Sequence, residues 1–353
     1  MINEDKKVQI KGLINKLPRV PLGFYPTPLQ ETPRLSRFLG GPKIYFKRED
    51  LSGLALGGNK TRMLEFRMAK ILETKADTVI DGWGIQSNHA RQIAAACSKL
   101  GLQCYLVLRK IKGQRDEEYQ GNFLLDVLYG AKIEVLDVNP EEHWKRKVEL
   151  AKELKRNGCV PYITGEPDQD LSTIAYVDCT IEMYEQLERL GISPDYIFVS
   201  SSNTTFAGLL LGVKCLGISV KAIAIDHGWP YVGDDVKKRV VNSAKNAAEK
   251  LGIAERVAED DVVQLKQYVG EGYGKMTKES VEAMRIVART EGILLDPVYT
   301  SKAMAGLIDQ IRKGKIGKKE TVLFVHTGGF PAIFAYNREL SKYFSANINS
   351  VNC

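Results

Sequence analysis

No stretch of this 353-residue chain approaches the roughly 20 consecutive apolar residues that a membrane-spanning helix needs, and Met1 to Lys7 carry no apolar core of a secretion signal. Both absences lead us to expect a cytoplasmic protein with no membrane partner. Cysteine is sparse, six residues with no C-x-x-C spacing, which fits free thiols in a reducing compartment better than a disulfide framework. Histidine is scarcer still: His89, His143, His227 and His326 stand too far apart to form a local metal-ligand pair, so no metal is expected. Internal repeats and low-complexity runs are missing. The net charge of +7 is spread over short clusters such as Lys237-Lys238-Arg239, without the aromatic interleaving of a nucleic-acid-binding face. No nucleic-acid partner is expected, and the surplus charge offers only mild attraction for small anionic ligands.

What is present is an ordinary globular composition, 44% apolar and 26% charged, in a chain long enough for two lobes, since single cores stop growing at about 250 to 300 residues. Residues 1–40 include Pro18, Pro21, Pro26, Pro28 and Pro33, which predicts an extended segment wrapped over the body instead of helix. A strand at 44–47 follows. Strand-like runs at 78–80, 104–108, 133–136 and 160–163 then alternate with amphipathic stretches at 89–100, 119–129 and 141–157. Such alternation predicts βαβ units and a parallel sheet, with Pro161 demoting the last run to an edge. Further on, a helix at 173–190, strands at 196–199, 222–226 and 322–325, and helices at 235–250, 277–290 and 301–312 continue the α/β pattern.

One lysine stands out. Lys60 follows Gly57-Gly58-Asn59 and precedes the apolar-periodic run Met63, Leu64, Phe66, Met68, Ile71 and Leu72, which places it at a helix start. The positive end of a helix disfavours an ammonium, so the position is poor for a structural lysine and good for a neutral, nucleophilic amine. Such an amine suits a Schiff-base lysine that holds an aldehyde cofactor, pyridoxal 5'-phosphate, the electron sink of carbanion chemistry. The plain alternative is one more solvated lysine. A second signal is the strand 196–199 running into Ser200-Ser201-Ser202-Asn203-Thr204-Thr205 and then an apolar helix. Short hydroxyls, backbone N–H groups and a helix dipole converging in this way suit a phosphate, although the same residues also make an ordinary helix cap. Gly270-Glu271-Gly272-Tyr273-Gly274 follows no strand and gives little support for a nucleotide site.

Gly57-Gly58-Asn59-Lys60-Thr61-Arg62, Gln86-Ser87-Asn88-His89-Ala90-Arg91-Gln92, Gly270-Glu271-Gly272-Tyr273-Gly274, Leu295-Asp296-Pro297-Val298-Tyr299 and His326-Thr327-Gly328-Gly329 occur in one order over most of the chain. That order resembles the D-cysteine desulfhydrase and 1-aminocyclopropane-1-carboxylate deaminase family of pyridoxal-phosphate enzymes, which includes the L-cysteate sulfo-lyases. The resemblance implies a two-domain α/β protein of pyridoxal-phosphate fold type II, the tryptophan-synthase-β-like fold, with parallel-rich sheets flanked by helices. It implies a large cofactor-binding domain at 1–61 and 174–353, a small domain at 62–173, a small amino acid as substrate, and a homodimer. By the same resemblance Lys60 binds the cofactor aldehyde, with Asn59 beside it, and Asn88 partners the cofactor's phenolic oxygen. Ser87, Asn88 and His89 surround the substrate carboxylate. Ser87, Tyr273 and Tyr299 take part in proton transfer, Ser202, Asn203, Thr204 and Thr205 hold the phosphate, and Thr327 faces the pyridine nitrogen. Plainer roles stand beside these: Ser87 as a helix cap, Tyr299 as a core aromatic, Thr327 as a strand end.

Two departures from the family pattern bear on the reaction. Ser201, Asn203 and Thr204 stand where glycines are expected in the phosphate loop, so either hydroxyls take over part of the work of bare backbone or the loop has a different shape. Thr300 follows Tyr299 where the deaminase branch has a glutamate able to keep the pyridine nitrogen protonated. A hydroxyl supplies no counter-charge, which weakens the case for cyclopropane opening. The expected reaction is therefore α,β-elimination from a three-carbon amino acid: D-cysteine first, to pyruvate, ammonia and sulfide, with L-cysteate to pyruvate, ammonia and sulfite as the alternative. Deamination of 1-aminocyclopropane-1-carboxylate and a non-catalytic cofactor- or amino-acid-binding protein are the remaining readings. Trp83 and Phe330 are expected near the β-substituent, or as packing.

Overall fold

The computed structural model describes residues 4–111, 119–165, 168–229 and 235–344. Its first element corrects an expectation. Glu4–Ile14 form a helix, α1, that buries Ile10 and Ile14, and a second helix, α2, runs Pro33–Phe38. Every proline of the N-terminal stretch lies beyond residue 14, and Pro33 occupies the first turn of α2, where a missing N–H costs nothing. Between the two helices the chain is non-helical, as the prolines demand.

Two sheets organise the rest. The larger contains β1 (Leu29–Glu31), β2 (Lys43–Lys47), β7 (Tyr196–Ser200), β8 (Lys221–Ile225), β9 (Val263–Leu265) and β10 (Thr321–Val325) in the order β1-β2-β10-β7-β8-β9. Only the β1–β2 pairing is antiparallel. The smaller is fully parallel, with β3 (Thr78–Asp81), β4 (Gln103–Arg109), β5 (Lys132–Leu136) and β6 (Pro161–Ile163) in the order β5-β4-β3-β6. β6 is an edge strand, where the N–H that Pro161 lacks is not needed. The short strands β1 and β9 lack the apolar runs of the others and were not legible from pattern.

Helices cover both faces of the larger sheet. One core gathers α7 (Gln169–Arg189), α8 (Thr204–Leu216) and α9 (Val236–Leu251); the opposite core gathers α10 (Lys278–Glu291) and α11 (Thr300–Arg312). The smaller sheet has α4 (Asn88–Leu100) and α5 (Gly121–Leu128) on one side, and α6 (Pro140–Arg156) on the other. Between the lobes lies α3 (Asn59–Glu73): Met63 and Phe66 enter the large-lobe core, while Leu64, Met68 and Ile71 enter the small-lobe core. Its all-round burial explains an apolar pattern broader than one amphipathic stripe.

The parallel strands β2, β10, β7 and β8 share one direction, so the segments leaving their C-terminal ends gather at one edge of the sheet. The start of α3 is held there by Arg62. This side chain is fully buried, bonds Glu49 through Nε (3.0 Å) and Nη2 (2.9 Å), and reaches Glu182 through Nη1 and Nη2, both at 3.0 Å. Burial alone would raise the Glu49 carboxyl, but the charge and hydrogen bonds of Arg62 hold it at about 2. Removing one member of such a pair strands a buried charge, at a cost of about 3 to 5 kcal/mol. The network therefore locks the backbone one turn from Lys60.

Five cysteines lie among the described residues, all unpaired and four of them buried; Cys353 lies outside those residues. Among the described residues no helix is long and apolar enough to cross a membrane, and no group of three or more His, Cys, Asp or Glu is placed to hold a metal ion.

Candidate active site

Lys60 sits in the first turn of α3, after a backbone that only glycine tolerates. Gly57 and Gly58 have φ of +72° and +128°. A Cβ on Gly57 would lie 1.9 Å from the Asp50 carbonyl oxygen, and one on Gly58 would lie 2.6 Å from Gln92 Nε2. Ala55 and Leu56, also at positive φ, add strain to the same turn. Among the described residues the contact of Lys60 Nζ is Met63 Sδ at 3.9 Å, with no carboxylate in reach. Burial, reinforced by the nearby Arg67 guanidinium, pulls the amine down to about 8. An ordinary lysine amine at 10.5 would be almost wholly charged at neutral pH; this one has an appreciable neutral fraction. We expect the rate at which apoprotein captures pyridoxal phosphate covalently to rise with pH through about 8 and then level off. A rate still climbing toward pH 10 in a stopped-flow absorbance series would contradict this.

The turn is tied to two other strand ends. The Asn59 N–H donates to the Thr327 carbonyl at 3.0 Å, and Asn59 Nδ2 donates to Thr205 Oγ1 at 3.0 Å. Asn59, Thr205 and Thr327 are thus brought together around Lys60. In the loop after β7, Ser201 Oγ accepts from the N–H groups of Asn203 and Phe206. The N-cap residue of α8, Asn203, makes no side-chain cap, Ser201 Oγ takes only the Phe206 N–H among the N-terminal N–H groups of the helix, and Ser202 Oγ is buried without a hydrogen-bond partner among the described residues. A helix start that its own N-cap side chain leaves open, beside an orphaned buried hydroxyl, fits a phosphate group, which would accept from both. The Asn203 side chain does not join them. Its Nδ2 donates to Gln169 Oε1 at 2.9 Å and its Oδ1 accepts from Ser243 Oγ at 2.7 Å, because this amide braces α7 against α9. The side-chain amide of Asn203 is therefore already engaged, which leaves the hydroxyls and backbone of this loop to face a phosphate.

On the small-lobe side the Gly82–Ser87 segment leaves β3 and starts α4. Ser87 caps that helix, its Oγ accepting from the N–H groups of His89 and Ala90 at 3.2 Å. Its hydroxyl proton remains available to donate. His89 Nε2 lies 2.8 Å from Asp81 Oδ2. Asp81 is buried and its carboxyl is held low by His89 despite the burial, so Nε2 carries the proton and donates. Burial outweighs Asp81 and lowers the His89 imidazole below its usual range, which leaves Nδ1 an acceptor at neutral pH. An acceptor offers no hydrogen bond to a carboxylate, whereas the Ser87 hydroxyl proton and the N-terminus of α4 beside it suit an anion.

Across the gap stand the tyrosines. The Tyr273 and Tyr299 hydroxyls are 2.5 Å apart. Burial, reinforced by Tyr299, pushes the Tyr273 hydroxyl well up, so it stays a proton donor. The glycine-rich loop that carries Tyr273 is clamped by Lys302, whose Nζ donates to the carbonyls of Val269 at 2.7 Å and Gly272 at 2.9 Å. His227 packs on Tyr299, ring centroids 4.9 Å apart, and burial lowers its imidazole to about 4. Trp229 lies edge-on to Tyr273 at 4.5 Å and meets Trp83 of the small lobe at 5.5 Å, so aromatic rings bridge the cleft. Sequence reading missed His227, Trp229 and Asp81. The signal available for each was its place at or just past the end of an apolar strand.

Comparison with known proteins follows the same lines. A family profile described as pyridoxal-phosphate dependent enzyme matches residues 20–328. The chain is 37% identical over 335 residues to a 1-aminocyclopropane-1-carboxylate deaminase of Bradyrhizobium diazoefficiens, covering 92% of this chain and 98% of that one. It is 36% identical over 335 residues to the Burkholderia multivorans protein of the same name, again 92% and 98%. A solved structure described as an ACC deaminase homologue superposes with a TM-score of 0.85 at 38% identity, covering 95% of this chain and 98% of that one. Threonine deaminase isoform 2 from Solanum lycopersicum, at 17% identity and a TM-score of 0.65 over 98% of this chain and 90% of that one, shares the fold.

Proposed function

Since this chain belongs to the family of pyridoxal-phosphate dependent enzymes, we propose that it is a lyase acting on a three-carbon amino acid by α,β-elimination, converting D-cysteine and water to pyruvate, ammonia and sulfide. The same reading takes 62–173 as the small domain and a homodimer as the assembly.

The observation that carries the choice of reaction is Thr300. Its hydroxyl donates to Asp296 Oδ1 at 2.7 Å and accepts the Asp296 N–H at 2.8 Å. Its proton and one of its acceptor positions are thus engaged inside the turn that starts α11, at the position where a deaminase would present a free carboxylate. Without that counter-charge, elimination of a heteroatom group from Cβ is better supported than the more demanding opening of a carbon ring.

When bound, pyridoxal phosphate supplies the electron sink that stabilises negative charge at the substrate Cα. Lys60, Asn59, Asn88, Ser202, Thr204, Thr205 and Thr327 would hold it. Lys60 Nζ, with its lowered proton affinity, serves first as the group that holds the aldehyde and then as the base at Cα. Ser87 Oγ and the start of α4 orient the substrate carboxylate. The Tyr273–Tyr299 pair holds a proton for the departing thiolate. Trp83 and Trp229 narrow the space for the β-substituent and limit water.

A second reading, deamination of 1-aminocyclopropane-1-carboxylate, is favoured by the names of the bacterial relatives. The two separate in one assay of purified protein with D-cysteine, L-cysteine, L-cysteate, 3-chloro-D-alanine and 1-aminocyclopropane-1-carboxylate. Pyruvate with sulfide from D-cysteine is expected; 2-oxobutyrate from the cyclopropane as the faster product would overturn the elimination reading. Sulfite from L-cysteate as the faster product would retain elimination and change the leaving group. A protein that binds pyridoxal phosphate yet turns over none of them is a binding protein.

A further inference from the structure

We propose that Arg91 and Asn122 are positioning residues that fix which end of the Asn88 amide faces the cofactor; the inference rests on the reading that Asn88 partners the cofactor's phenolic oxygen. All three lie where the small lobe meets the Lys60 turn. Arg91 and Asn122 are fully buried. Arg91 Nη1 donates to Asn88 Oδ1 at 3.1 Å and to Asn122 Oδ1 at 2.6 Å, while Nη2 donates to the Gly57 carbonyl at 2.8 Å.

The logic of donors and acceptors leaves no freedom. A guanidinium only donates, so the atoms of Asn88 and Asn122 that face it are oxygens. With its oxygen turned to Arg91, Asn122 directs Nδ2 to the Gln86 carbonyl and to Asn88 Oδ1, both at 2.9 Å. Asn88 Oδ1 therefore accepts twice. Its Nδ2 faces the other way, toward the glycines that end β10: a Cβ on Gly329 would lie 2.7 Å from it. That is the end of the amide able to donate to a phenolate-like oxygen.

Arg91 is not there for an ion pair. The buried Asp126 nearby has neither carboxylate oxygen hydrogen-bonded among the described residues, and the guanidinium bonds to Asn88, Asn122 and Gly57 all go to neutral oxygens. Through the Gly57 carbonyl, which Gln92 Nε2 also reaches at 3.1 Å, the same arginine joins the turn before Lys60 to the helix carrying Asn88. The amine and the amide that meet the cofactor are thereby held in one rigid frame.

Asn122→Asp tests this with little change of shape, since it replaces the donor facing Asn88 by an acceptor and favours the flipped amide. Pyridoxal-phosphate affinity and the visible band of the bound cofactor would be measured on the full chain in wild type, Asn122→Asp, Asn88→Ala and the double variant. Asn122→Asp is expected to weaken binding by about tenfold and to shift the band in the Asn88 background. In the Asn88→Ala background it is expected to change affinity by no more than about twofold, because it acts through Asn88. Equal losses in both backgrounds, or an unchanged affinity and band, would overturn the proposal. Should Asn122→Asp fail to fold, Arg91→Lys carries the same cycle, since an ammonium does not reproduce the fork that spans Asn88 and Gly57. A wild-type protein that captures no pyridoxal phosphate on Lys60 would remove the parent reading and this inference with it.

Discussion

Lys60→Ala is expected to abolish covalent capture of pyridoxal phosphate together with all pyruvate formation. The amine is partly buried, has no acidic partner among the described residues and is lowered to about 8, so no structural ion pair is lost with it. The turn before it is held by Gly57, Gly58 and Arg62, so α3 should persist with little loss of stability. The result is checked by borohydride reduction followed by peptide mass analysis, with a melting curve as control. Wild-type turnover in a correctly folded variant would exclude Lys60 as the nucleophile. A second lysine could then be sought, and the fully buried Lys302, lowered to about 8 by burial, would be examined first. Its engagement with two carbonyls argues against it.

Tyr299→Phe is expected to lower kcat by about 10²-fold or more, the usual contribution of a positioned acid or base. The substitution keeps the ring against His227 and Tyr273 and removes only the hydroxyl that faces Tyr273. Cofactor binding and its absorbance should therefore survive while turnover falls. A poor leaving group should suffer more than a good one, so the deficit should shrink for 3-chloro-D-alanine, whose chloride needs no proton. Unchanged kcat on D-cysteine would reduce Tyr299 to packing. A uniform loss on every substrate would place its role at binding instead of at the departing atom.

Much of the fold was legible because strands such as β7 and β10 are continuous apolar runs with glycine or short polar residues just past their ends, the mark of parallel strands buried on both faces. The N-terminal helix α1 was not, since the prolines that argued against helix all lie downstream of it and its apolar face is only Ile10 and Ile14. Of the candidate site, the place of Lys60 at the start of α3 was legible from the glycine pair before it and the apolar run behind it, both local properties. The engagement of the Asn203 amide was not legible, because its partners Gln169 and Ser243 lie 34 and 40 residues away and no local pattern announces them.

The sequence alone determined the alternation of strands and helices, the lysine behind a glycine pair, and the family, because these depend on local periodicity and ordered motifs. Only the tertiary structure decided which partners those residues have: that Asp81 claims His89, that Thr300 spends its hydroxyl on Asp296, and that Arg91 turns Asn88. Donor and acceptor pairing, burial and the resulting proton affinities are set by groups distant in the chain, and periodicity carries no record of them.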